Sequence, residues 1–105
     1  MVSDKTLPQI FRLDGKGALV TGAARGLGWA MVEVLAEAGA EVVLTDLLLE
    51  LGEEKVRALK DSGHQAHFRS MDVSNRQAIA STIGEIVETT GGIDILINNA
   101  GVGGK

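Results

Sequence analysis

The sequence predicts an α/β fold built on a parallel sheet, and three observations predict it. Short apolar runs alternate with longer stretches whose apolar residues recur at helical spacing; glycines fall at the ends of these segments; and the alternation runs βαβαβαβ without an internal repeat or a linker. Strands separated each time by a helix are joined by right-handed crossovers and lie parallel.

The first strand is Ala18 to Thr21, an apolar run after the turn signal Asp14-Gly15-Lys16-Gly17. Leu27, Ala30, Met31, Val34, Leu35 and Ala38 then form a helical stripe that ends at Gly39, a natural left-handed stop. Trp29 falls off this stripe and is expected at a rim or on the surface. Glu41 to Thr45 is the second strand. A polar, charged helix follows from about Glu50 to Ser62, with Leu51, Val56 and Leu59 as its apolar positions and Gly63 as its stop. Gln65 to Ser70 reads as a weaker third strand. Ser74 to Gln77 has the spacing of a capping box ahead of Ile79, Ile83, Ile86 and Val87, and Gly91-Gly92 closes that helix. Ile93 to Ile97 is a fourth strand, apolar almost throughout, as expected of a strand covered on both faces; Asp94 belongs at its start or bonds locally. Phe11 and Leu13 are expected to pack at the sheet edge, Met1 to Pro8 reads as disordered, and Leu47-Leu48-Leu49 reads as local core packing.

A chain of 105 residues makes one small domain and excludes two. The absence of cysteine removes disulfides, thiolate metal sites and cysteine nucleophiles, and no metal site is expected. The absence of tyrosine removes any phenolic acid or base. A net charge of -4, with ten Lys and Arg spread without a run, argues against a nucleic-acid surface or a polybasic membrane patch. Neither a signal sequence nor a membrane-spanning run is present in these residues, so a soluble cytoplasmic protein is the default expectation.

The chemistry is concentrated in Thr21-Gly22-Ala23-Ala24-Arg25-Gly26-Leu27-Gly28, between the first strand and the first helix. There a helix N-terminus directs unpaired N–H groups past the carboxyl ends of the strands, where a phosphate fits. Gly22 permits the tight turn, Gly26 lets backbone approach a pyrophosphate, and Gly28 lets the helix pack close to the sheet. The spacing G-x-x-x-G-x-G is not that of a P-loop, and no Lys-Ser or Lys-Thr follows, which disfavours nucleoside-triphosphate hydrolysis. Asp46 ends the second strand 18 residues beyond Gly28, near the ~20-residue offset at which an acidic residue meets the hydroxyls of an adenosine ribose. The other reading of Asp46 is a helix N-cap.

Thr21-Gly22-x-x-x-Gly26-x-Gly28, Asp72-Val73 and Asn98-Asn99-Ala100-Gly101, in that order and register, resemble the motifs of the short-chain dehydrogenases/reductases, in particular their classical-type branch. The resemblance runs from about Phe11 to Gly101. It implies a Rossmann-type doubly wound parallel sheet of order 3-2-1-4, lacking the later strands, and an oxidoreductase that transfers a hydride between a nicotinamide cofactor and an alcohol or ketone. It also implies roles: Gly22, Arg25, Gly26, Leu27 and Gly28 along the pyrophosphate and adenosine, Asp46 at the ribose, Asp72 and Val73 at the adenine, and Asn99, Ala100 and Gly101 at the adenosine-proximal backbone. Asn98 is expected to stabilise the sheet and Thr21 to tie the loop to neighbouring backbone.

Asp46 would repel a 2′-phosphate and Leu47 supplies no cation beside it, so NAD is preferred over NADP, with Arg25 as the opposing signal. The Ser, Tyr-x-x-x-Lys and Asn that the resemblance implies for catalysis would lie beyond Gly101, so no catalytic residue is assigned. His64 and His67 are remote from the glycine loop and read as surface or structural. The chain therefore reads as the cofactor-binding portion of a longer enzyme, inactive alone and homo-oligomeric when full length. A non-catalytic NAD-binding or interaction module is the alternative, and an S-adenosylmethionine-dependent methyltransferase ranks last because it leaves Asn98 to Gly101 unexplained.

Overall fold

The strand β1 (Gly17–Thr21) is buried at every position, because a strand lies on each side of it and helices cover both its faces. The computed structural model describes residues 12–99; Met1 to Phe11 and Ala100 to Lys105, with the expectations placed on them, lie outside the described residues. After β1 come α1 (Gly26–Glu37), β2 (Glu41–Asp46), α2 (Leu49–Asp61), β3 (Ala66–Ser70), α3 (Arg76–Thr90) and β4 (Ile95–Asn98). The sheet is parallel with order β3-β2-β1-β4, the doubly wound Rossmann-type arrangement.

Alternation along the strands builds two cores. Ala18 and Val20 of β1, Val42 and Leu44 of β2 and Ala66 of β3 face α1 and α2, where they meet Val32, Ala36, Val56 and Leu59. Leu19 and Val43 face the other way and meet Ile86 of α3, with Ile83 and Ile93 beside it. Two buried threonines, Thr21 and Thr45, interrupt the apolar runs; the Thr45 hydroxyl donates to the Val20 carbonyl at 3.3 Å, which satisfies it without leaving the sheet. Gly52 brings α2 down onto β3, since a Cβ there would collide with the Phe68 ring.

The face that α1 turns to the sheet is rotated from the one its spacing suggests: Leu35 packs on the first core and Ala38 is buried as expected, but the rest of the stripe is displaced. Gly28, Val32 and Ala36 are buried, whereas Leu27 and Val34 of the expected stripe are 60% and 64% exposed. The segment is apolar nearly all round, so periodicity alone does not choose a face; the small side chains of Gly28 and Ala36 do, by allowing the closest approach. Trp29 consequently packs against the core rather than standing at a rim, with Lys55 Nζ 4.6 Å from its ring centroid. The start of α3 also differs. Ser74 donates its hydroxyl to Asp72 Oδ1 at 2.6 Å, so the cap passes to Asn75, whose side chain accepts from the Ala78 N–H at 3.0 Å.

Asp94 lies just before β4, where its carboxylate accepts from the Gly17 N–H at 2.9 Å and its own N–H donates to the Gly17 carbonyl at 2.8 Å. This clamp pulls the start of the strand to Ile95. Leu13 packs on the first core and donates its N–H to the Ala38 carbonyl, while Arg12 Nη1 donates to the Glu37 carbonyl at 3.1 Å. No helix among the described residues is long and apolar enough to cross a membrane.

Among the described residues β4 has a strand on one side alone, and its Leu96 is 59% exposed. Beside it Leu27, Ala30, Met31, Val34, Leu35 and Ile97 line an apolar groove of about 370 Å³. An open apolar edge is a template for pairing. The 105-residue chain is expected to self-associate as its concentration rises, and Leu96→Lys to shift it towards monomer in sedimentation velocity. A monomeric profile with a cooperative, high-temperature melt for the unsubstituted chain would contradict this.

Candidate functional site

The direction in which successive strands are laid down reverses at β1. The chain moves outward from β1 to β2 to β3, then crosses back to place β4 on the far side of β1. Loops leaving β1 and β4 therefore diverge to opposite faces and open a crevice at the carboxyl ends of the strands, where open α/β sheets bind ligands. The glycine loop after β1, Asp46 at the end of β2, Asp72 and Val73 after β3 and Asn99 after β4 all lie along this rim.

The chain leaves β1 through Gly22, at φ 60, a left-handed conformation that a side chain would disfavour. Ala23 and Ala24 are fully buried. The Ala23 N–H donates to the Thr45 carbonyl at 3.1 Å, and the Ala24 N–H donates to Asp46 Oδ2 at 3.0 Å. The first half of the loop is thus fastened to β2. Arg25, exposed and extended, stands at the N-cap of α1; no side chain caps the helix and no acidic residue occupies its first turn. The opening N–H groups of a helix lack intrahelical partners and carry partial positive charge, so the second half of the loop presents an anion-attracting surface. A Cβ on Gly26, at φ +63, would meet nothing within 4 Å. Leu27 is exposed beside it.

A latch from β4 holds the loop from the other side. The Thr21 hydroxyl donates to Asn98 Oδ1 at 3.1 Å and accepts the Asn99 N–H at 2.9 Å. Asn99 Nδ2 donates to the Gly22 carbonyl at 3.1 Å. Gly28 closes the packing: a Cβ there would collide with the Gly22 carbonyl oxygen and stand 2.8 Å from Asn99 Nδ2. Thr21 and Asn98 therefore have the fastening positions their motifs suggested.

Asp46 faces the glycine loop from β2. Its Oδ1 accepts the Leu48 N–H at 3.0 Å, and its carbonyl accepts the Met71 N–H at 3.2 Å. The Asp46–Leu48 turn carries the chain out of the sheet. Leu47, Leu48 and Leu49 are consequently 65%, 39% and 49% exposed, not packed in the core as their composition suggests. Asp72 and Val73 are exposed on the same rim. The Ser74 hydroxyl, and then its N–H, hold the Asp72 carboxyl below the usual carboxylate range.

Arg25, Gly26, Leu27, Asp46, Asp72, Val73 and Asn99 thus share one end of the sheet, and Ala100 and Gly101 lie outside the described residues. The histidines stand elsewhere: His67 pairs with Glu41, at the opposite end of β2 from Asp46, at 2.6 Å, and His64 lies 4.0 Å from Glu37. Sequence reasoning missed the part played by the Ala24 amide. Its signal was the pair of alanines between glycines, small enough to be buried against the end of β2.

Two outcomes follow from this geometry. Gly28→Ala drives a Cβ into backbone, an overpacking that costs about 1–3 kcal/mol and, where the chain melts cooperatively, is expected to lower Tm by several degrees; an unchanged Tm would remove Gly28 from the packing. Because the Asp72 carboxyl is depressed, the Ser74 turn is held above the ordinary carboxylate range and released as pH falls through the lowered value. Ser74→Ala is expected to raise that value in an NMR titration, and no rise would contradict the assigned cause.

A family model described as short chain dehydrogenase matches residues 16–105. The uncharacterized oxidoreductase YxbG of Bacillus subtilis is 43% identical over 97 residues, which span 90% of this chain and 36% of that protein. The 15-hydroxyprostaglandin dehydrogenase of Macaca fascicularis, whose name specifies NAD(+), is 44% identical over 92 residues, 86% of this chain and 35% of that protein. A crystal structure of a hydroxysteroid dehydrogenase from Escherichia coli superposes with a TM-score of 0.86 at 35% identity, over 91% of this chain and 39% of that one. The chain spans little more than a third of the length of these relatives. With the parallel 3-2-1-4 sheet, the glycine loop and the Asn98-Asn99 latch in place, the chain belongs to the short-chain dehydrogenase family and corresponds to its N-terminal portion.

Proposed function

We propose that these 105 residues form the dinucleotide-binding part of an oxidoreductase that uses NAD in preference to NADP and acts on an alcohol or ketone. The observation that carries this reading is the uncapped N-terminus of α1 standing across the loop from the Asp46 carboxylate. One supplies N–H donors for a pyrophosphate, and the other supplies acceptors for ribose hydroxyls.

The residues present fit such a ligand. Gly26 leaves open space where a side chain would stand, and Gly28 brings the helix close enough for its first turn to face the rim. In this reading Gly22, Arg25, Gly26, Leu27 and Gly28 hold the pyrophosphate side, Asp46 the ribose, Asp72 and Val73 the adenine, and Asn99, continuing into Ala100 and Gly101, the backbone beside the adenosine. When bound, the nicotinamide supplies the hydride donor or acceptor. The chain's own residues bind and orient the dinucleotide, and none of them is assigned a proton transfer. The relatives are more than twice as long as this chain, and the acid–base residues of the whole enzyme are assigned to none of these 105 residues. Relatives named for a hydroxyprostaglandin and a hydroxysteroid support a hydroxyl-bearing substrate class.

Cofactor choice follows from charge. Two like unit charges 4 Å apart repel by about 1 kcal/mol in water and about 4 kcal/mol at the effective dielectric near a protein surface. Asp46 has Leu47, not a cation, as its neighbour, so nothing on that side offsets its repulsion of a 2′-phosphate. Calorimetric titration of the chain is expected to give at least about tenfold tighter binding for NAD than for NADP, the equivalent of about 1.4 kcal/mol. Equal or tighter binding of NADP would overturn the role given to Asp46, and no binding of either would overturn the proposal.

A further inference from the structure

The Asp46 carboxylate is already engaged from two directions before any ligand is considered. Pairing between β1 and β2 runs in register to Thr21 and Thr45, and the Ala23 N–H extends it to the Thr45 carbonyl. The next donor, the Ala24 N–H, belongs to a fully buried residue, and the acceptor it meets is the side chain of Asp46, Oδ2 at 3.0 Å. The carboxylate thus takes the place of a main-chain acceptor at the point where the loop turns away from the sheet. Its other oxygen holds the Leu48 N–H at the start of α2.

We infer that Asp46 is a positioning residue for the glycine loop, coupling the grip on a pyrophosphate to the site that meets the ribose. The count of acceptor sites agrees. An ionised carboxylate offers about four lone-pair directions; Ala24 and Leu48 occupy one on each oxygen, leaving two, the number of hydroxyls on an adenosine ribose. Both backbone bonds are charge-assisted and of ordinary length, so the loop is fixed before the ligand arrives. Asparagine is nearly isosteric but has one carbonyl oxygen, and its NH₂ group would confront one of the two N–H donors. Asp46→Asn therefore frees one end of the clamp while preserving the shape of the side chain.

The ligand half of this inference rests on the dinucleotide reading, whereas the clamp itself does not, and two measurements separate them. In the unligated chain, Asp46→Asn is expected to speed amide exchange by about tenfold, relative to amides within β2, at whichever of Ala24 and Leu48 faces the NH₂ group, with that proton resonance moving upfield. Unchanged exchange and resonance position at both would overturn the clamp. If the variant does not fold, the wild-type chain carries the same test. A scalar coupling across the hydrogen bond between the Ala24 amide nitrogen and the Asp46 carboxyl carbon is expected, and its absence together with unprotected exchange at Ala24 would overturn the inference.

Inorganic pyrophosphate then tests the coupling without a ribose. Removing a negative charge should tighten anion binding if Asp46 serves the ribose alone. If it positions the loop, Asp46→Asn is expected to weaken pyrophosphate binding by at least about threefold, with NAD binding weakened further. Unchanged or tighter pyrophosphate binding would overturn the coupling. A wild-type chain with a protected Ala24 amide but no affinity for NAD would leave the clamp standing and remove the dinucleotide reading.

Discussion

The close approach of α1 to the exit of β1 is the constraint on which the rest of the structure depends. Where Gly28 passes the Gly22 carbonyl there is no room for a Cβ, so the axis of α1 is set by backbone contact and not by side-chain bulk. From that contact the buried face of the helix follows as Val32 and Ala36 over β1 and β2. The direction of its first turn follows as well. A bulkier residue at the crossing would lift the helix, withdraw its N–H groups from the rim and open the core beneath it.

The loop is held at its two ends by different chemistry. On the β4 side Thr21, Asn98 and Asn99 make a side-chain latch. On the β2 side the Thr45 carbonyl and the Asp46 carboxylate take successive amides. Between them Arg25 to Gly28 has neither a cap nor an acidic neighbour in the first turn. A loop fixed at both ends with a row of donors left between has a specific electrostatic preference, and that preference is for an anion.

Much of this was legible in the sequence because it depends on spacing. Glycine at 22, 26 and 28 fixes the turn and the close crossing, the apolar runs fix β1 and β2 and place β4 to within two residues, and Asp46 falls where the second strand must end. The parts that were not legible depend on choices between equivalent alternatives. The sequence of α1 is apolar on almost every face, and the winner was decided by the small residues Gly28 and Ala36, which periodicity does not weigh. Ser74 and Asn75 are both good caps, and the carboxylate of Asp72 settled the matter by taking the Ser74 hydroxyl. The leucines at 47 to 49 looked like core until the turn at Asp46 carried them outward. The N-cap reading of Asp46 is not met: Leu48 is the N-cap of α2, no side chain caps that helix, and the Asp46 carboxylate instead accepts the N–H of Leu48 itself.

The end of the sheet carrying the glycine loop and Asp46 is proposed to receive a nicotinamide dinucleotide. The most direct measurement is the map of backbone amide resonances that move when NAD is added to the ¹⁵N-labelled chain. The shifts are expected to concentrate at Gly26, Leu27 and Gly28, with Asp46, Asp72 and Asn99 following, while Gly39, Gly63 and His64 at the other end of the strands stay fixed. Shifts centred on that other end, or no shifts at saturating NAD, would contradict the proposal.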